Sequence, residues 1–465
     1  MTDPLYDVLV LGAGPGGYAA AIRAGQLGLR TVVVESAQLG GTCLNVGCIP
    51  SKALIHAADT FAAAVRSSAG SDPMGIRAGT PSIDLAATVA WKDRMVGRLS
   101  SGIGALLARA GVTTVTGWGR VLDGKTVEVE SDGPHPPRLL QARNLVLATG
   151  SRPVELPGLP FGGPVATSTD ALAWCDLPDD LVVVGGGYIG LELGTAFAKL
   201  GTAVTVVEAT DRLLPSFDAS LVPPIERRMR QLGCTVLTRT KVTGQTATGV
   251  RTLAADGTAG ELTAGRVLVA VGRAPSVEGW GLDDLDLDRD GPFVRIDDRC
   301  RTSMTGVYAV GDLTGDPMLA HRAIAQGRLV AEVIAGQPRR WDNVCIPEVV
   351  FTDPELVCVG MTPEQARQAD VDTIEASFPY TASGRASTTA DPSGFVHLVA
   401  RRHDHVLLGV QGVGAQMSEL SATFGLALEM GARLEDLAGT IVAHPTRAEA
   451  LQEAALAALG APMHV

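Results

Sequence analysis

The apolar positions of the chain gather into short unbroken runs set off by glycine. Residues 7–11 read D-V-L-V-L, with no polar interruption after the first position, as expected of a strand covered on both faces. The sequence G-A-G-P-G-G follows at 12–17, then a helical stretch to about residue 27, then a second buried run, T-V-V-V-E, ending at Glu35. The same order returns downstream. Residues 180–208, from D-L-V-V-V-G-G-G-Y-I-G to A-V-T-V-V-E, align on 7–35 without a gap, so Gly185, Gly187, Gly190 and Glu208 fall on Gly12, Gly14, Gly17 and Glu35. Two such units predict an α/β protein with two Rossmann-like dinucleotide-binding domains. The parallel continues in N-L-V-L-A-T-G at 144–150 and R-V-L-V-A-V-G-R at 266–273.

Further helices are predicted over 51–66, 91–110 and about 319–336, the last preceded by T-G-V-Y-A-V-G-D at 305–312. Residues 72–81, rich in Pro and Gly, predict a surface loop, and 338–347 a linker. From residue 348 the pattern changes. Runs such as E-V-V-F-T, F-V-H-L-V-A and V-L-L-G-V-Q-G-V-G mix with helices at 417–430 and 448–459 and carry no glycine fingerprint, which predicts a separate C-terminal α+β domain.

The fingerprints have a chemical reading. In the first copy Gly12 makes the tight turn, Gly14 lets backbone approach a pyrophosphate, Gly17 lets helix and strand pack, and Glu35 can take both hydroxyls of a ribose. In the second copy Glu208 favours NAD over NADP, because a carboxylate accepts from a free 2′-hydroxyl and repels a 2′-phosphate; Arg212 is the nearby base that tempers this.

Composition narrows the classes. At 465 residues the chain exceeds one core and predicts several domains. A net charge of -12 argues against nucleic acid and anionic membrane as partners, and no apolar run reaches membrane-spanning length. The opening M-T-D-P-L-Y-D lacks the basic and apolar regions of a signal peptide, so a cytoplasmic location is expected. Seven cysteines at irregular spacings do not make a secreted disulfide framework, and no second Cys or His pair stands at zinc-site spacing, so no metal is expected.

Two of those cysteines stand apart, in G-G-T-C-L-N-V-G-C-I-P-S-K at 40–52. On a regular helix Cys43 and Cys48 would lie about 7.5 Å apart along the axis and point in different directions, so a bridge between them needs an irregular turn. Gly40, Gly41 and Gly47 supply the backbone freedom, and Pro50 suits the first turn of the following helix, whose N-terminus favours thiolate at Cys48. From spacing alone a redox-active disulfide, a structural disulfide and two buried thiols all remain open. Cys175, Cys234, Cys300, Cys345 and Cys358 have no motif around them and read as packing residues.

The 40–52 stretch, both fingerprints, A-T-G at 148–150, G-D at 311–312 and H-P-T-R-A-E at 444–449 together resemble the flavin-dependent pyridine nucleotide-disulfide oxidoreductases, and within them the dihydrolipoamide-oxidising branch. The resemblance runs the length of the chain in colinear order. It implies a homodimer with an FAD domain from residues 1–150 and 275–345, an NAD domain at 151–274 and a dimerisation domain at 346–465. It also implies that FAD is held by Gly12, Gly14, Gly17, Glu35, Thr42, Gly117, Thr149, Gly150, Asp312 and Ala320, with Lys52 beside the flavin and paired with Glu192. NAD would be held by Gly185, Gly187, Gly190, Glu208 and Gly272.

By the same resemblance, Cys43 meets the dithiol substrate, Cys48 faces the flavin, and His444, oriented by Glu449, serves as base toward the disulfide of the other subunit. The implied reaction oxidises dihydrolipoamide to lipoamide and reduces NAD+ through a Cys43–Cys48 disulfide, with a lipoyl-bearing acyltransferase or H-protein type of partner. Reduction of another small disulfide with NAD(P)H, or a catalytically idle structural flavoprotein, is the alternative. Against the first stands the lack of a basic cluster after Glu208; against the second, the retention of both cysteines, Lys52, His444 and Glu449. The chain departs from its relatives at Val442, Arg322 and Gln326, where a His, a Lys and an acid are common, and His321 sits near the flavin in relatives.

Overall fold

The computed structural model describes residues 5–70, 72, 74–130 and 136–464, so residues 1–4 of the N-terminal reading and parts of the predicted 72–81 loop lie outside the described residues. The chain forms two compact units, one of Met1–Ala53, Ala86–Val154 and Gly272–Asp342, the other of Leu54–Leu85, Glu155–Val271 and Asn343–Val465.

In the first unit, strands Thr113–Thr116, Thr31–Glu35, Tyr6–Leu11, Arg138–Leu147 and Val307–Ala309 lie side by side in parallel. The uninterrupted apolar run of the first strand is explained by two cores. Leu9 and Leu11 join Val32, Val34, Leu145 and Leu147 on one face, while Val8 and Val10 join Val33, Val146 and Val310 on the other. Strand Arg138–Leu147 is shared, because its first half also pairs antiparallel with Thr126–Glu130. Helix Pro15–Gln26 packs on helix Ala320–Ile334 so closely that a side chain at Gly327 would meet the Gly16 carbonyl at 2.2 Å. Arg23 and Glu332 reinforce that contact at 2.8 Å.

The second unit holds a five-stranded parallel sheet in the order Thr235–Leu237, Ala203–Val207, Asp180–Val184, Arg266–Val269, Val165–Ala166. It also holds a five-stranded antiparallel sheet: Glu348–Val350, Glu355–Gly360, Leu407–Gly414, Gly394–Arg401, Thr373–Pro379. Phe424, Leu428, Leu451 and Ala454, from helices Ser421–Glu429 and Glu449–Ala458, cover the latter sheet. The architecture is α/β with a C-terminal α+β portion.

Several boundaries differ from the sequence expectation. The helix expected at 91–110 is Leu85–Arg109, because Leu85 and Val89 are buried and carry its apolar face further back. The helix expected at 417–430 is a 3-10 turn at Ser418–Leu420 followed by Ser421–Glu429. No helix among the described residues is long and apolar enough to cross a membrane.

Candidate active site

Strand Tyr6–Leu11 delivers the chain into Gly12, whose N–H donates to Val34 O at 2.8 Å and where a side chain would run 2.4 Å from Ala148 O. Helix Pro15–Gln26 is capped by Gly14 with no side-chain cap, so the N–H groups of its first turn and the positive end of its dipole stay open to an anion. Gly17 sits over the turn; a Cβ there would come 1.9 Å from Gly12 O. The carboxylate of Glu35 closes the loop, Oε2 accepting from Ala13 N at 2.7 Å and Oε1 from Ala37 N at 2.9 Å. The Glu35 carbonyl accepts from Gly117 N at 2.9 Å.

Thr149 donates to Ser276 O at 2.9 Å, and Gly150 follows it with φ 73. Ser151 donates to Asp312 Oδ2 at 2.5 Å and accepts from Arg273 Nε at 2.7 Å. Asp312 lies in the turn Gly311–Thr314, which two of the departing residues hold in place. Gln326 Oε1 accepts from Gly311 N at 2.8 Å, and the buried Arg322 donates to Thr314 Oγ1 at 3.1 Å and to the Gly315 carbonyl. Arg322 and Gln326 therefore brace the turn that carries Asp312. Ala320 is half-buried at the start of the next helix, and His321 beside it is exposed.

The redox stretch consists of two helices, Gly41–Val46 and Cys48–Ser68, broken at Gly47 with φ -134 and ψ -112. The irregular turn expected between the cysteines is thus a single residue, and the helix starts at Cys48, earlier than the 51–66 expectation, so Pro50 occupies its third position. The break has a steric cause. A Cβ at Gly47 would meet Thr42 O at 2.8 Å and Cys43 Cα at 3.2 Å, so the second helix begins against the backbone of Cys43. Both are free cysteines whose side chains share a hydrogen bond. That bond, then burial, pushes the Cys43 thiol well up, while nearby Lys52 acts in the opposite direction. Cys48 and Thr42 are exposed.

This stretch is seated on the first fingerprint. Gly40 N donates to Ala13 O at 2.9 Å, and Gly41, at φ 59, lies where a Cβ would reach Gly14 Cα at 2.5 Å. Asn45 secures it from inside, Nδ2 reaching the carbonyls of Leu39 at 3.1 Å and Gly41 at 3.0 Å. Sequence reasoning missed Tyr18. Its hydroxyl is pushed up first by burial and, less, by Cys43. The available signal was its spacing one helical turn after Gly14, with Tyr18 N donating to Gly14 O at 2.9 Å.

The second fingerprint repeats the first atom for atom. Gly185 N donates to Val207 O at 2.8 Å, a Cβ at Gly185 would lie 2.5 Å from Ala270 O, and one at Gly190 would lie 2.3 Å from Gly185 O. Gly187 caps helix Tyr188–Leu200 without a side chain and faces open space. Glu208 is buried, Oε2 accepting from Gly186 N and Oε1 from Thr210 N, both at 2.7 Å. Arg212 is committed elsewhere, its Nη2 donating to Pro215 O at 2.9 Å and Phe217 O at 3.3 Å. Glu192, buried in the same helix, accepts from Phe351 N at 2.9 Å. Gly272 precedes strand Arg273–Pro275, and its carbonyl accepts from Val154 N at 3.1 Å.

His444 and Glu449 form a pair, with Nδ1 2.7 Å from Glu449 Oε1. The other oxygen, Oε2, accepts from Thr446 N at 2.8 Å, which holds the carboxylate at the head of helix Glu449–Ala458. The imidazole side chain is 75% exposed while the carboxylate is 23% exposed. A carboxylate at Nδ1 keeps the proton on that nitrogen and leaves Nε2 with the lone pair. Of the remaining cysteines, Cys234, Cys300 and Cys358 are buried as expected of packing residues, and Cys345 is half-buried. Cys175 is exposed, contrary to that expectation.

Both nucleotide cofactors fit what is present. Each fingerprint offers a bare helix N-terminus, glycines that admit close approach, and a carboxylate fixed by two backbone N–H groups at the strand end. Among the described residues no group of three or more His, Cys, Asp or Glu could hold a metal ion.

The pyridine nucleotide-disulphide oxidoreductase family matches residues 6–327, and its dimerisation domain matches 346–455. A dihydrolipoyl dehydrogenase of Pseudomonas aeruginosa is 56% identical over 459 residues, covering 99% of this chain and 98% of that protein. Dihydrolipoyl dehydrogenase 2 of Haloarcula marismortui is 45% identical over 465 residues, with 98% of each chain covered. Among solved structures, LpdA from Mycobacterium tuberculosis superposes with a TM-score of 0.88 at 27% identity, covering 97% of this chain and 99% of that one. The two glycine fingerprints, the paired thiols seated on the first of them and these full-length likenesses agree: the chain belongs to the pyridine nucleotide-disulphide oxidoreductases, the FAD-containing, NAD-dependent family whose dimerisation domain it also carries.

Proposed function

We propose that this protein, as a homodimer, oxidises dihydrolipoamide to lipoamide and reduces NAD+. The observation that carries the reading is the hydrogen-bonded Cys43–Cys48 thiol pair packed directly on the first fingerprint through Gly41 and Gly14. In the proposed cycle His444 Nε2 takes a proton from one substrate thiol, and the resulting thiolate attacks Cys43 of the oxidised pair, expelling Cys48 as thiolate. The second substrate thiol then attacks the mixed disulfide. Its proton passes to the departing Cys43, which becomes a thiol, lipoamide leaves, and two electrons have passed to the pair. Glu449 holds Nδ1–H and stabilises the imidazolium between the two steps. Bound FAD supplies the two-electron link between this dithiol and NAD+.

Gly12, Gly14, Gly17, Glu35, Thr42, Gly117, Thr149, Gly150, Asp312 and Ala320 are assigned to FAD, with Lys52 and Glu192 setting the charge near it. Gly185, Gly187, Gly190, Glu208 and Gly272 are assigned to NAD. Residues 1–150 and 275–345 make the FAD domain, 151–274 the NAD domain and 346–465 the dimer interface, from which His444 serves the disulfide of the second copy. A lipoyl-bearing acyltransferase or H-protein presents the dithiol, in the cytoplasm. The full-length likeness to two dihydrolipoyl dehydrogenases supports this choice of substrate.

The test is steady-state reduction of NAD+ by dihydrolipoamide with the purified holoprotein, beside a His444→Gln variant. The wild type should turn over far better with NAD+ than with NADP+, and the variant should lose about 10²- to 10⁴-fold. Background rates with dihydrolipoamide beside good rates with NADPH and another small disulfide would overturn the assignment.

A further inference from the structure

Arg447 stands between His444 and Glu449 in sequence, yet its side chain turns into the core and the residue is only 6% exposed. Its guanidinium lies over the Tyr380 ring, 5.0 Å from the centroid, and Nη2 donates to Thr389 Oγ1 at 2.9 Å. Nε and Nη1 are buried with no acceptor. A buried cation with unmet donors is costly, and a methionine or leucine could cover the same ring without that penalty. The arrangement therefore exchanges stability for geometry, and the geometry is specific.

Tyr380 and Thr389 are the two ends of one short segment. Tyr380 begins the 3-10 turn Tyr380–Ala382, helix Gly384–Thr388 follows, and Thr389 closes it. Between the two grips, Gly384 lies beside the imidazole, where a Cβ would sit 4.0 Å from His444 Cε1. One side chain thus holds both ends of the segment that flanks His444, and it springs from the turn that carries His444 itself.

We propose that Arg447 is a positioning residue for the dithiol half-reaction. It clamps segment 380–389 against the His444–Glu449 turn so that the imidazole keeps one orientation toward the substrate thiol. The inference rests on the reading of His444 as the base. Arg447 touches no reacting atom; it acts through the segment beside the imidazole.

The experiment compares Arg447→Met, Thr389→Val, the double variant and His444→Gln, each as holoenzyme with rates normalised to bound FAD. In a two-stage cycle, kcat/KM for each substrate reports its own half-reaction. Arg447→Met should melt at or above the wild-type temperature, yet lose about 10-fold in kcat/KM for dihydrolipoamide while kcat/KM for NAD+ stays unchanged. Thr389→Val should show the same split, and the double variant should fall no lower than the worse single one. Wild-type kcat/KM for dihydrolipoamide in Arg447→Met, or equal losses for both substrates accompanied by a lower melting temperature, would overturn the clamp. If His444→Gln keeps wild-type activity, it is the reading of the base that fails. Should Arg447→Met not fold, the substrate split in Thr389→Val decides alone.

Discussion

Gly41 rests on Gly14: at φ 59 a Cβ on it would fall 2.5 Å from Gly14 Cα, so the residue two places before Cys43 touches the first glycine loop. The thiols and the nucleotide loop are therefore one piece of backbone. Gly41→Ala adds left-handed strain and overpacking, together on the order of 3 kcal/mol. Purified Gly41→Ala should hold less FAD per chain and melt lower than wild type, as read from flavin absorbance and a thermal scan. Normal flavin content and melting would show that the contact yields without cost.

The Cys43 thiol is pushed up chiefly by its hydrogen bond with Cys48. Removing the partner removes the larger cause and leaves burial. In reduced Cys48→Ala, alkylation of Cys43 by iodoacetamide should therefore set in at lower pH than in the reduced wild type, moving toward the ordinary thiol value of about 8.5. A profile that stays put or moves up in pH would mean that burial, and not the shared proton, holds Cys43 protonated.

Glu208 uses one oxygen for Gly186 N–H and the other for Thr210 N–H. Glutamine can accept with only one of its two terminal atoms, so one buried donor loses its partner at about 1–3 kcal/mol. Glu208→Gln should raise KM for NAD+ by about 10-fold or more and narrow the preference over NADP+. Unchanged KM values for both nucleotides would remove Glu208 from the NAD site.

Asp353 meets Lys199 at 2.7 Å and Arg228 at 2.9 Å, joining the parallel-sheet helices to the loop between the first two antiparallel strands. Burial alone would raise its pKa, but the two cations outweigh it and the carboxyl is held below its ordinary value. A depressed folded-state pKa gives stability that is fully present above the unfolded value of about 3.9 and is lost as pH falls through the folded value. At pH 7 Asp353→Asn should cost about 3 kcal/mol in denaturant unfolding, since it takes the carboxylate from Arg228 and leaves Lys199 with Asp59 alone. The gap to wild type should shrink below about pH 4. A gap that holds constant to pH 3 would assign the cost to packing.

Much of this site is legible along the chain because its causes are local. A glycine that must turn beside a carbonyl, a helix that needs a bare N-terminus and an acid at a strand end recur at fixed offsets, so Glu35 and Glu208 could be aligned before their identical backbone bonds were visible. The His444–Glu449 pair belongs to the same class, since five residues of turn and helix start suffice to bring them to 2.7 Å. Helix starts were less legible. Cys48 opens its helix, rather than Ser51, because Gly47 packs on the preceding helix, and Leu85 extends another because its side chain finds a core.

By itself, then, the sequence determined the two nucleotide units, the thiol pair and the candidate base with its carboxylate, all set by backbone sterics and short-range hydrogen bonding. Only the tertiary structure decided what stands around them. It turned Arg322 and Gln326 into braces of the Asp312 turn and buried Arg447 over Tyr380 next to His444. Those placements depend on which distant segments pack together and on which polar groups burial leaves without water. Spacing along a chain carries no record of either.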